Sequence, residues 1–448
     1  MSRICRYLPL FGIESVDFTK YLLDLAEIVE RSAPVLDRHL FRTAFICAHL
    51  GEILGLEEAR IRHLVMSAVI HDVGLTFVSR IRDIRDLAGL DRGVLISHGE
   101  LSRWVIQEMS FYHGYLDIAE ITRHHHVAYS EEAVKRVPFE SFVVAGADIL
   151  EVNLRRYQQP WLYRDEVLAS VLRAPVHPAV AEAIEKLVKD YPLAFWYDLV
   201  VSKRAAKEYL ENVLGVIPIK TTRENLLRMA SALGRIVDFR SPVTSTHSAR
   251  VSAVAKAIGE LFGLSFIKLL ILEVGGLLHD IGKLVVPIDI LEKPARLVPE
   301  EYALIQTHVY YTYRFLRHLG MPDQLVEAAS FHHERLDGSG YPFGIGGECM
   351  FTSSRIMQIA DVFAALSEKR PYKSRWGKDT VLSVLKQEVE AGRLCPVVFD
   401  VVRANFDHLY QVAEEAAERA RMGFEEFLAK VGVGKEEITD LVDYYGED

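Results

Sequence analysis

The sequence predicts an all-α fold that consists of two similar helical domains in tandem. Apolar residues recur at intervals of three and four through most of the chain, which is the period of a helix buried on one side. A set of seven polar residues also occurs twice in the same order, which indicates an internal duplication. Stretches with the two-residue alternation of a strand are short and few.

The helical period is clearest in residues 250–264 and 266–282. Gly263, Gly282 and Gly320 fall at or after the end of such apolar stretches. Because glycine is the residue most often found just beyond the end of a helix, these positions predict helix ends.

The duplication is read from histidines that keep their neighbours and their spacing. "HLFRTA" at His39 resembles "HSARVS" at His247, and "AVIHDVG" around His71 resembles "GLLHDIG" around His279. In both halves, 32 residues separate the first of these histidines from the second. The set in the first half is His39, His71, Asp72, His98, His124, His125 and Asp148, and the set in the second half is His247, His279, Asp280, His308, His332, His333 and Asp361.

We therefore expect an N-terminal domain over residues 1–192, a connecting helix over 193–218 and a second domain over 219–448. The end of the chain, from Glu414 onward, is charged and amphipathic and predicts a solvated helix that packs on the second domain.

The composition argues against several classes of function. A net charge of −10 disfavours a broad surface for long nucleic acids, although a few local cations could still hold a small anionic substrate. No run approaches the roughly 18–20 apolar residues of a membrane span, and the first residues do not resemble a signal peptide. The four cysteines form no CxxC pair. We therefore expect a cytoplasmic protein without membrane insertion.

Imidazole nitrogens and carboxylate oxygens from several helices are the ligands of divalent Fe, Mn or Zn. Asp280 stands between His279 and a glycine predicted to end the helix, so it is the natural carboxylate to bridge two ions. Two such ions would activate a water molecule and neutralise charge on a phosphodiester. For any one of these histidines alone, the alternative to a metal ligand is a hydrogen-bonded residue of the core. The repeated set of seven positions favours metal binding instead.

Three motifs of the second half resemble the HD-GYP phosphodiesterases of the HD superfamily. They are "HDIGK" at 279–283, "HHERLDGSGYP" at 332–342 and "ADVFAALSEKRPYK" at 360–373, and the resemblance covers residues 247–399. The first half is similar only to the broader HD superfamily. The resemblance implies tandem HD-domain helical bundles, the second of HD-GYP type. The duplication motivates the hypothesis that the first is regulatory.

The resemblance also implies hydrolysis of cyclic di-GMP to pGpG or GMP at a non-haem iron or manganese centre with two ions. The metal ligands would be the seven residues of the second set, with Asp280 and Lys283 as catalytic residues. The residues that would bind the substrate are Gly338, Gly340, Tyr341, Arg370 and Lys373.

The second half departs from the family pattern at positions that carry no predicted ligand. These are Ser241, Val243, Val309, Ala364 and Cys395. Ser241 and Val243 stand where acidic residues are found in the family, and Val243 cannot supply the extra carboxylate of a three-metal centre.

The first half has Leu75 where the lysine of "HDIGK" should be, and no GYP loop follows its histidines. His126 makes the assignment of its histidine pair ambiguous by one position. A metal-loaded domain with little catalytic activity and an empty domain are both compatible with this sequence, and either could regulate the second half.

Other functions stay open at this point. The substrate could be cyclic GMP-AMP or another nucleotide, the protein could be a receptor that binds a cyclic dinucleotide without cleaving it, or it could be purely structural. A homodimer formed through the connecting helix is a further hypothesis.

Overall fold

A computed structural model of the chain describes residues 15–32, 36–77, 92–200, 203–240, 246–293, 295–368 and 376–431. These residues are almost entirely helical, and they divide into two compact units. Residues 17–219 form the N-terminal unit, and residues from 220 onward, together with 15–16, form the C-terminal unit. The predicted all-α tandem architecture is therefore confirmed. None of the helices within these ranges is both long enough and apolar enough to cross a membrane.

The N-terminal unit is built around one nearly fully buried helix, α2, which packs against α3, α6, α8 and α10. Its elements are β1 (Ser15–Asp17), α1 (Phe18–Ser32), α2 (His39–Ile53), α3 (Glu58–Ile70), α4 (Arg92–Glu108), α5 (Tyr115–Arg123), α6 (Phe139–Leu154), α7 (Arg164–Val171), α8 (Pro178–Asp190), α9 (Leu193–Val200), α10 (Lys203–Leu214) and β2 (Pro218–Lys220). The two short strands pair with each other.

The C-terminal unit is built in the same way around α12, which packs against α13, α17 and α20. Its helices are α11 (Arg223–Arg240), α12 (His247–Leu261), α13 (Phe266–Leu278), α14 (Ile288–Leu291), α15 (Pro299–His318), α16 (Asp323–Ser330), α17 (Thr352–Ser367), α18 (Lys378–Glu390), α19 (Pro396–Ala404) and α20 (Phe406–Val431). On α20, Leu409 and Ala413 are fully buried, while Glu414 accepts a hydrogen bond from Arg250 of α12 at 2.7 Å.

The duplication is visible in the lengths of the elements. Helices α2 and α12 both contain 15 residues, and α3 and α13 both contain 13. A five-residue 3₁₀ turn comes after α3 (Val73–Phe77) and after α13 (Ile281–Val285). Gly282 lies inside the second of these turns and not at a helix end, because α13 already ends at Leu278. The helices that carry the repeated histidines thus begin and end at matching positions in the two units.

Residues 193–218, which the sequence predicts as one connecting helix, contain α9, α10 and the start of β2. Both helices pack against α2 and so belong to the N-terminal unit. The N–H of Phe18 donates to the carbonyl of Ile217 at 2.8 Å, which joins the beginning of this unit to its end.

Candidate metal centres

The seven polar residues predicted in the C-terminal unit lie at the ends or on the inner faces of five helices. His247 is the first residue of α12, His279 and Asp280 follow α13, His308 lies in α15, His332 and His333 follow α16, and Asp361 lies in α17. All of them except His333 are buried. The fold therefore brings together residues that are up to 114 positions apart in the chain.

Asp280 lies between two groups of imidazoles and turns one carboxylate oxygen towards each. Its Oδ2 atom is 3.1 Å from Nε2 of His279 and 4.0 Å from Nε2 of His247. Its Oδ1 atom is 3.3 Å from Nε2 of His308 and 3.9 Å from Nε2 of His332. A carboxylate in this position can bridge two cations, one through each oxygen.

Backbone carbonyls hold three of the rings so that Nε2 faces this carboxylate. The Nδ1 atoms of His279, His308 and His332 each lie within 2.8 Å of the carbonyl oxygen three residues earlier. Because a carbonyl only accepts hydrogen bonds, Nδ1 carries a proton, and Nε2 of the neutral ring keeps a free lone pair. Such hydrogen bonds orient a histidine for metal binding.

His247 and Asp361 complete the group around Oδ2 of Asp280. Nε2 of His247 is 3.2 Å from Oδ1 of Asp361, and Nδ1 of His247 is 3.7 Å from Oε2 of the buried Glu368. Burial opposes a charge on His247, but the two carboxylates outweigh this effect and raise its pKa to about 10. A metal ion bound here would displace that proton.

The donors present match those of a divalent metal centre. His247, His279 and Asp280 offer ligand atoms that all lie within 4.8 Å of one another, and His308, His332 and His333 do the same. Nε2 of His279 and Oδ1 of Asp280 are buried and form no hydrogen bond with the described residues. Buried polar atoms in this state are costly unless a cation or another partner satisfies them. Both groups therefore fit a divalent ion.

Lys283 lies beside the bridging carboxylate, with Nζ 2.5 Å from Oδ2 of Asp280 and a quarter of its side chain exposed. Its 3₁₀ turn packs closely against α15, because a Cβ on Gly282 would lie 1.9 Å from the carbonyl oxygen of His308. Burial opposes ionisation of Asp280, but His279 and Lys283 outweigh this effect and hold its pKa well below the usual range.

A buried acid that the sequence analysis did not single out holds the loop after the histidine pair. Glu334 is fully buried, and its carboxylate accepts hydrogen bonds from the N–H groups of Phe343 at 2.7 Å and Ile345 at 2.9 Å. A Cβ on Gly340 would lie 2.4 Å from Cα of Glu334, so the loop can cross this residue only with a glycine. The sequence did contain a cue, namely an acid directly after two adjacent histidines.

This loop places Tyr341 against one of the predicted ligands. Its ring stacks on His333 with 4.9 Å between ring centroids, and its N–H donates to the carbonyl of His333 at 3.2 Å. Burial raises the pKa of the Tyr341 hydroxyl. The hydroxyl is therefore protonated at neutral pH and able to donate a hydrogen bond.

The remaining predicted positions are divided between the core and the part of the chain that is not described. Arg370 and Lys373, predicted to bind the substrate, lie outside the described residues, as do Ser241 and Val243. The substitutions Val309, Ala364 and Cys395 are all buried.

The N-terminal unit places its polar residues at the same points, with one correction. His39 is the first residue of α2, His71 and Asp72 follow α3, His98 lies in α4 and Asp148 lies in α6. The sequence left the histidine pair ambiguous by one position, and the residues that gather with Asp72 and His98 are His125 and His126, not His124 and His125.

The reason for this correction is the position at which α5 ends. His124 directly follows the helix, and its Nδ1 lies 2.9 Å from the carbonyl oxygen of Glu120, so the ring turns back along the helix. The next two residues form the turn that faces Asp72. Phe331 occupies the matching position after α16.

Comparison with known proteins identifies both units. Residues 36–153 and residues 231–394 each match a family described as the HD domain. A cyclic di-GMP phosphodiesterase response regulator of Xanthomonas campestris pv. campestris, RpfG, is 38% identical over 289 residues, covering 57% of this chain and 75% of the relative.

Two further relatives come from Vibrio cholerae. The 3′3′-cGAMP-specific phosphodiesterase 1 is 38% identical over 214 residues, covering 47% of this chain and 48% of the relative. The 3′3′-cGAMP-specific phosphodiesterase 3 is 33% identical over 216 residues, covering 47% of this chain and 45% of the relative. The chain thus spans about half the length of these two proteins.

The fold also resembles that of a solved structure. The crystal structure of a cyclic GMP-AMP specific phosphodiesterase of V. cholerae, V-cGAP3, aligns with a TM-score of 0.60 at 22% identity. The alignment covers 88% of this chain and 98% of that chain, and at this identity it supports the fold alone.

Proposed function

Because this chain belongs to the HD-GYP family of the HD superfamily, we propose that its C-terminal unit hydrolyses a cyclic dinucleotide at a centre with two divalent metal ions. The observation that carries the proposal is the position of Asp280, whose two oxygens face two separate groups of histidines. Iron or manganese suits these mixed nitrogen and oxygen donors.

Two bound ions would supply Lewis acidity, which lowers the pKa of a water molecule and neutralises charge on a phosphodiester. His247, His279 and Asp361 would hold one ion, and His308, His332 and His333 would hold the other, with Asp280 shared. The fixed Nδ1 protons of His279, His308 and His332 keep Nε2 available and prevent the rings from rotating away.

Lys283 would stabilise negative charge that develops on the phosphoryl group or on the departing 3′-oxygen. Its ammonium group lies beside Asp280 and its side chain is partly exposed, so a bound phosphate could reach it. Asp280 holds this ammonium in place.

The loop of residues 334–345 would form one wall of the nucleotide site. Glu334 holds its backbone, and Tyr341 offers a protonated hydroxyl and a ring face. Gly338 adopts a φ of +77°, which lets the backbone turn without a side chain in the site. Arg370 and Lys373 are proposed to bind the second phosphate, on the resemblance alone.

We propose cyclic di-GMP as the substrate and pGpG or GMP as the product. A relative of which 75% of the length is matched carries this activity in its name. The second candidate is 3′3′-cGAMP, since two relatives at 38% and 33% identity are named as specific for it. We further propose that the N-terminal domain, predicted as residues 1–192, regulates the C-terminal unit.

The test uses the full-length protein, loaded anaerobically with Mn²⁺ or Fe²⁺. Cyclic di-GMP, 3′3′-cGAMP and a simple nucleotide monophosphate are each supplied, and products are separated by chromatography. Hydrolysis of cyclic di-GMP faster than of the other two supports the proposal, and a preference for 3′3′-cGAMP selects the second candidate. Tight binding with no product from the metal-loaded protein would contradict hydrolysis and identify a receptor.

Two variants connect the activity to the centre. Asp280→Asn should lower kcat by about a thousand-fold or more and reduce the metal content, because an amide cannot bridge two cations as a carboxylate does. Asp400→Asn makes the same chemical change on an exposed face of α19, where Asp400 pairs with Arg403 at 3.0 Å. Asp400→Asn should leave both kcat and the metal content unchanged.

A further inference from the structure

We infer that Glu368 and Arg250 position His247 for its metal ion, and that helix α20 takes part by holding Arg250 through Glu414. His247 is one of the ligands proposed for the C-terminal unit, so the inference rests on that proposed function. Glu368, Arg250 and Glu414 act as positioning residues, because they set the orientation of a ligand and are not ligands themselves.

The place of His247 in the fold explains why its ring needs support from another side chain. His279, His308 and His332 are each held by the carbonyl oxygen three residues earlier in the chain. His247 is the first residue of α12, so no helical turn precedes it that could offer such a carbonyl. Its Nδ1 atom is buried and forms no hydrogen bond with the residues that the structure describes. A buried nitrogen in this state requires a partner from elsewhere in the fold.

Glu368, which directly follows α17, turns its carboxylate towards this nitrogen. The side chain of Glu368 is 5% exposed, and its Oε2 atom lies 3.7 Å from Nδ1 of His247. Its Oε1 atom accepts a hydrogen bond from Oγ1 of Thr246 at 2.9 Å. At 3.7 Å the carboxylate acts on the ring by electrostatic attraction, since a hydrogen bond would be shorter. A carboxylate beside the outer nitrogen of a metal-binding histidine orients the ring and strengthens it as a ligand.

Arg250 completes a buried group of charges around this carboxylate. It stands three residues after His247, which places both side chains on the same side of α12. Its Nε atom lies 3.4 Å from Oγ1 of Thr246 and 3.8 Å from Oε1 of Glu368. Because Arg250 and Glu368 are both buried, each compensates a charge that would otherwise be costly.

The same arrangement surrounds the residue of the N-terminal unit that matches His247. His39 is the first residue of α2, and Oε2 of the buried Glu151 lies 2.7 Å from its Nδ1 atom. Arg42, three residues after His39, lies 3.4 Å from the other oxygen of Glu151. A histidine at the start of a helix, an arginine one turn later and a buried glutamate therefore occur together twice in this chain.

The two glutamates reach their histidines from different positions of the repeat. Glu151 lies within α6, three residues after Asp148, whereas Glu368 follows α17, seven residues after Asp361. Repetition of the sequence alone does not explain why both acids reach the same nitrogen. The requirement that they share is a histidine at a helix start, which lacks a preceding turn. This accounts for the arginine that "HLFR" and "HSAR" have in common.

Helix α20 joins this group through Glu414. Oε1 of Glu414 accepts a hydrogen bond from Nη1 of Arg250 at 2.7 Å. Leu409 of α20 is fully buried, and the helix packs along α12, so the position of Glu414 is fixed by the core. A charge-assisted hydrogen bond from a fixed acid holds the guanidinium of Arg250 in one place.

The position of α20 in the chain makes this contact informative. The match to the HD domain ends at residue 394, before α20 begins at Phe406. None of the seven predicted ligands lies on α20. A change at Glu414 that alters metal binding would therefore show that a segment beyond the matched domain supports the centre.

The experiment measures the Mn²⁺ affinity of the full-length protein. Metal-depleted samples are titrated anaerobically with Mn²⁺ against a fluorescent chelator, and the binding that Asp280→Asn loses is assigned to the C-terminal unit. Glu368→Gln should raise the dissociation constant of this binding about 10- to 100-fold, as changes to the partner of a ligand do. Glu414→Gln should raise it about three- to five-fold, because Glu414 is partly exposed and acts through Arg250.

Glu415→Gln is the matched control for Glu414→Gln. Glu415 is the next residue of α20, is exposed and pairs with Gln411 at 2.9 Å, so its replacement should leave the Mn²⁺ affinity unchanged. The double variant Glu368→Gln/Glu414→Gln should bind Mn²⁺ as Glu368→Gln does, because Glu414 acts on His247 only through Glu368. Two independent effects on stability would add instead.

A Mn²⁺ dissociation constant of Glu368→Gln within about two-fold of wild type would overturn the inference. If Glu368→Gln does not fold, the comparison of Glu414→Gln with Glu415→Gln decides the matter. Equal affinities of these two, or additive effects in the double variant, would overturn the role of α20.

A wild-type titration that matches that of Asp280→Asn would overturn the inference together with the metal centre. Normal Mn²⁺ binding by a wild type that hydrolyses no cyclic dinucleotide would contradict the proposed activity alone. The affinities of the variants would then still support the inference or overturn it, because they are measured without substrate.

Discussion

Replacement of Glu334 by Gln tests whether one buried carboxylate holds the loop that carries Gly338, Gly340 and Tyr341. Its two oxygens accept from two backbone N–H groups, those of Phe343 and Ile345. An amide has a single acceptor oxygen, so one of these N–H groups would face an NH₂ group instead. The loss of a charge-assisted hydrogen bond and one unsatisfied N–H together cost about 2–4 kcal/mol.

We expect Glu334→Gln to keep its full metal content and to lower kcat/KM about 10- to 100-fold, because part of this cost appears as a less ordered loop around the substrate. The assay is steady-state hydrolysis of the preferred cyclic dinucleotide, with elemental analysis and thermal unfolding of the same samples. Glu348→Gln is the matched control, since Glu348 is an exposed glutamate in the same segment.

Two results would refute the reasoning on Glu334. One is a kcat/KM within about two-fold of wild type, which would mean that the loop does not depend on these hydrogen bonds. The other is a loss of metal in parallel with activity, which would mean that Glu334 acts on the neighbouring His333 and not on the loop.

Three further predictions concern charged residues near the two centres. Lys283→Met should lower kcat about 100-fold or more with unchanged metal content, and a kcat equal to that of wild type would show that the ammonium takes no part in the reaction. Glu151→Gln should destabilise the metal-free protein by about 3 kcal/mol at pH 7, measured by urea unfolding, because it leaves buried positive charge poorly compensated. Burial opposes the charged form of Glu151, but His39, Arg155 and Arg42 favour it and lower its pKa in the fold. The difference in stability between Glu151→Gln and wild type should therefore persist above pH 4.5 and shrink as the pH falls below it. Burial raises the pKa of Asp238 to about 7, so its carboxyl destabilises the metal-free fold increasingly from pH 4 to pH 7. Asp238→Asn, which can still accept the hydrogen bond from Ser248, should raise the unfolding temperature at pH 7 but not at pH 4, and an equal effect at both values would contradict this account.

The architecture could be predicted because ligand residues mark the ends of helices. His39 and His247 each begin a 15-residue helix, and His71 and His279 each follow a 13-residue helix, so the repeated spacing in the sequence corresponds to repeated elements in the fold. Apolar periodicity alone would have predicted helices but not a duplication.

The assignment of the histidine pair in the first half could not be made in the same way. Three adjacent histidines are equivalent in a sequence, and the choice depends on the residue at which α5 ends. Helix ends are the least predictable feature of a helix, and a shift of one residue rotates a side chain by about 100° around the axis. His124 therefore points along the helix, while His126 faces His98.

The supporting acids were missed for a different reason. Glu151, Glu334 and Glu368 look like ordinary surface glutamates in the sequence, and only the fold shows that each is buried. Each has a specific partner, either the outer nitrogen of a histidine or a pair of backbone N–H groups. Burial of an acid is decided by tertiary packing, which local sequence patterns do not specify.

The two His/Asp clusters differ in the residues that lie beside them. Both units place a bridging aspartate between two groups of histidines, so the ligands alone do not distinguish them. The differences lie next to the ligands: Leu75 stands where Lys283 lies beside Asp280, and Val127 follows His126 where Glu334 follows His333. A valine cannot hold a loop over the metal centre, and a leucine cannot offer charge to a phosphate. If these neighbours determine activity, turnover should respond to changes at Lys283 and Glu334 but not to a change at Leu75.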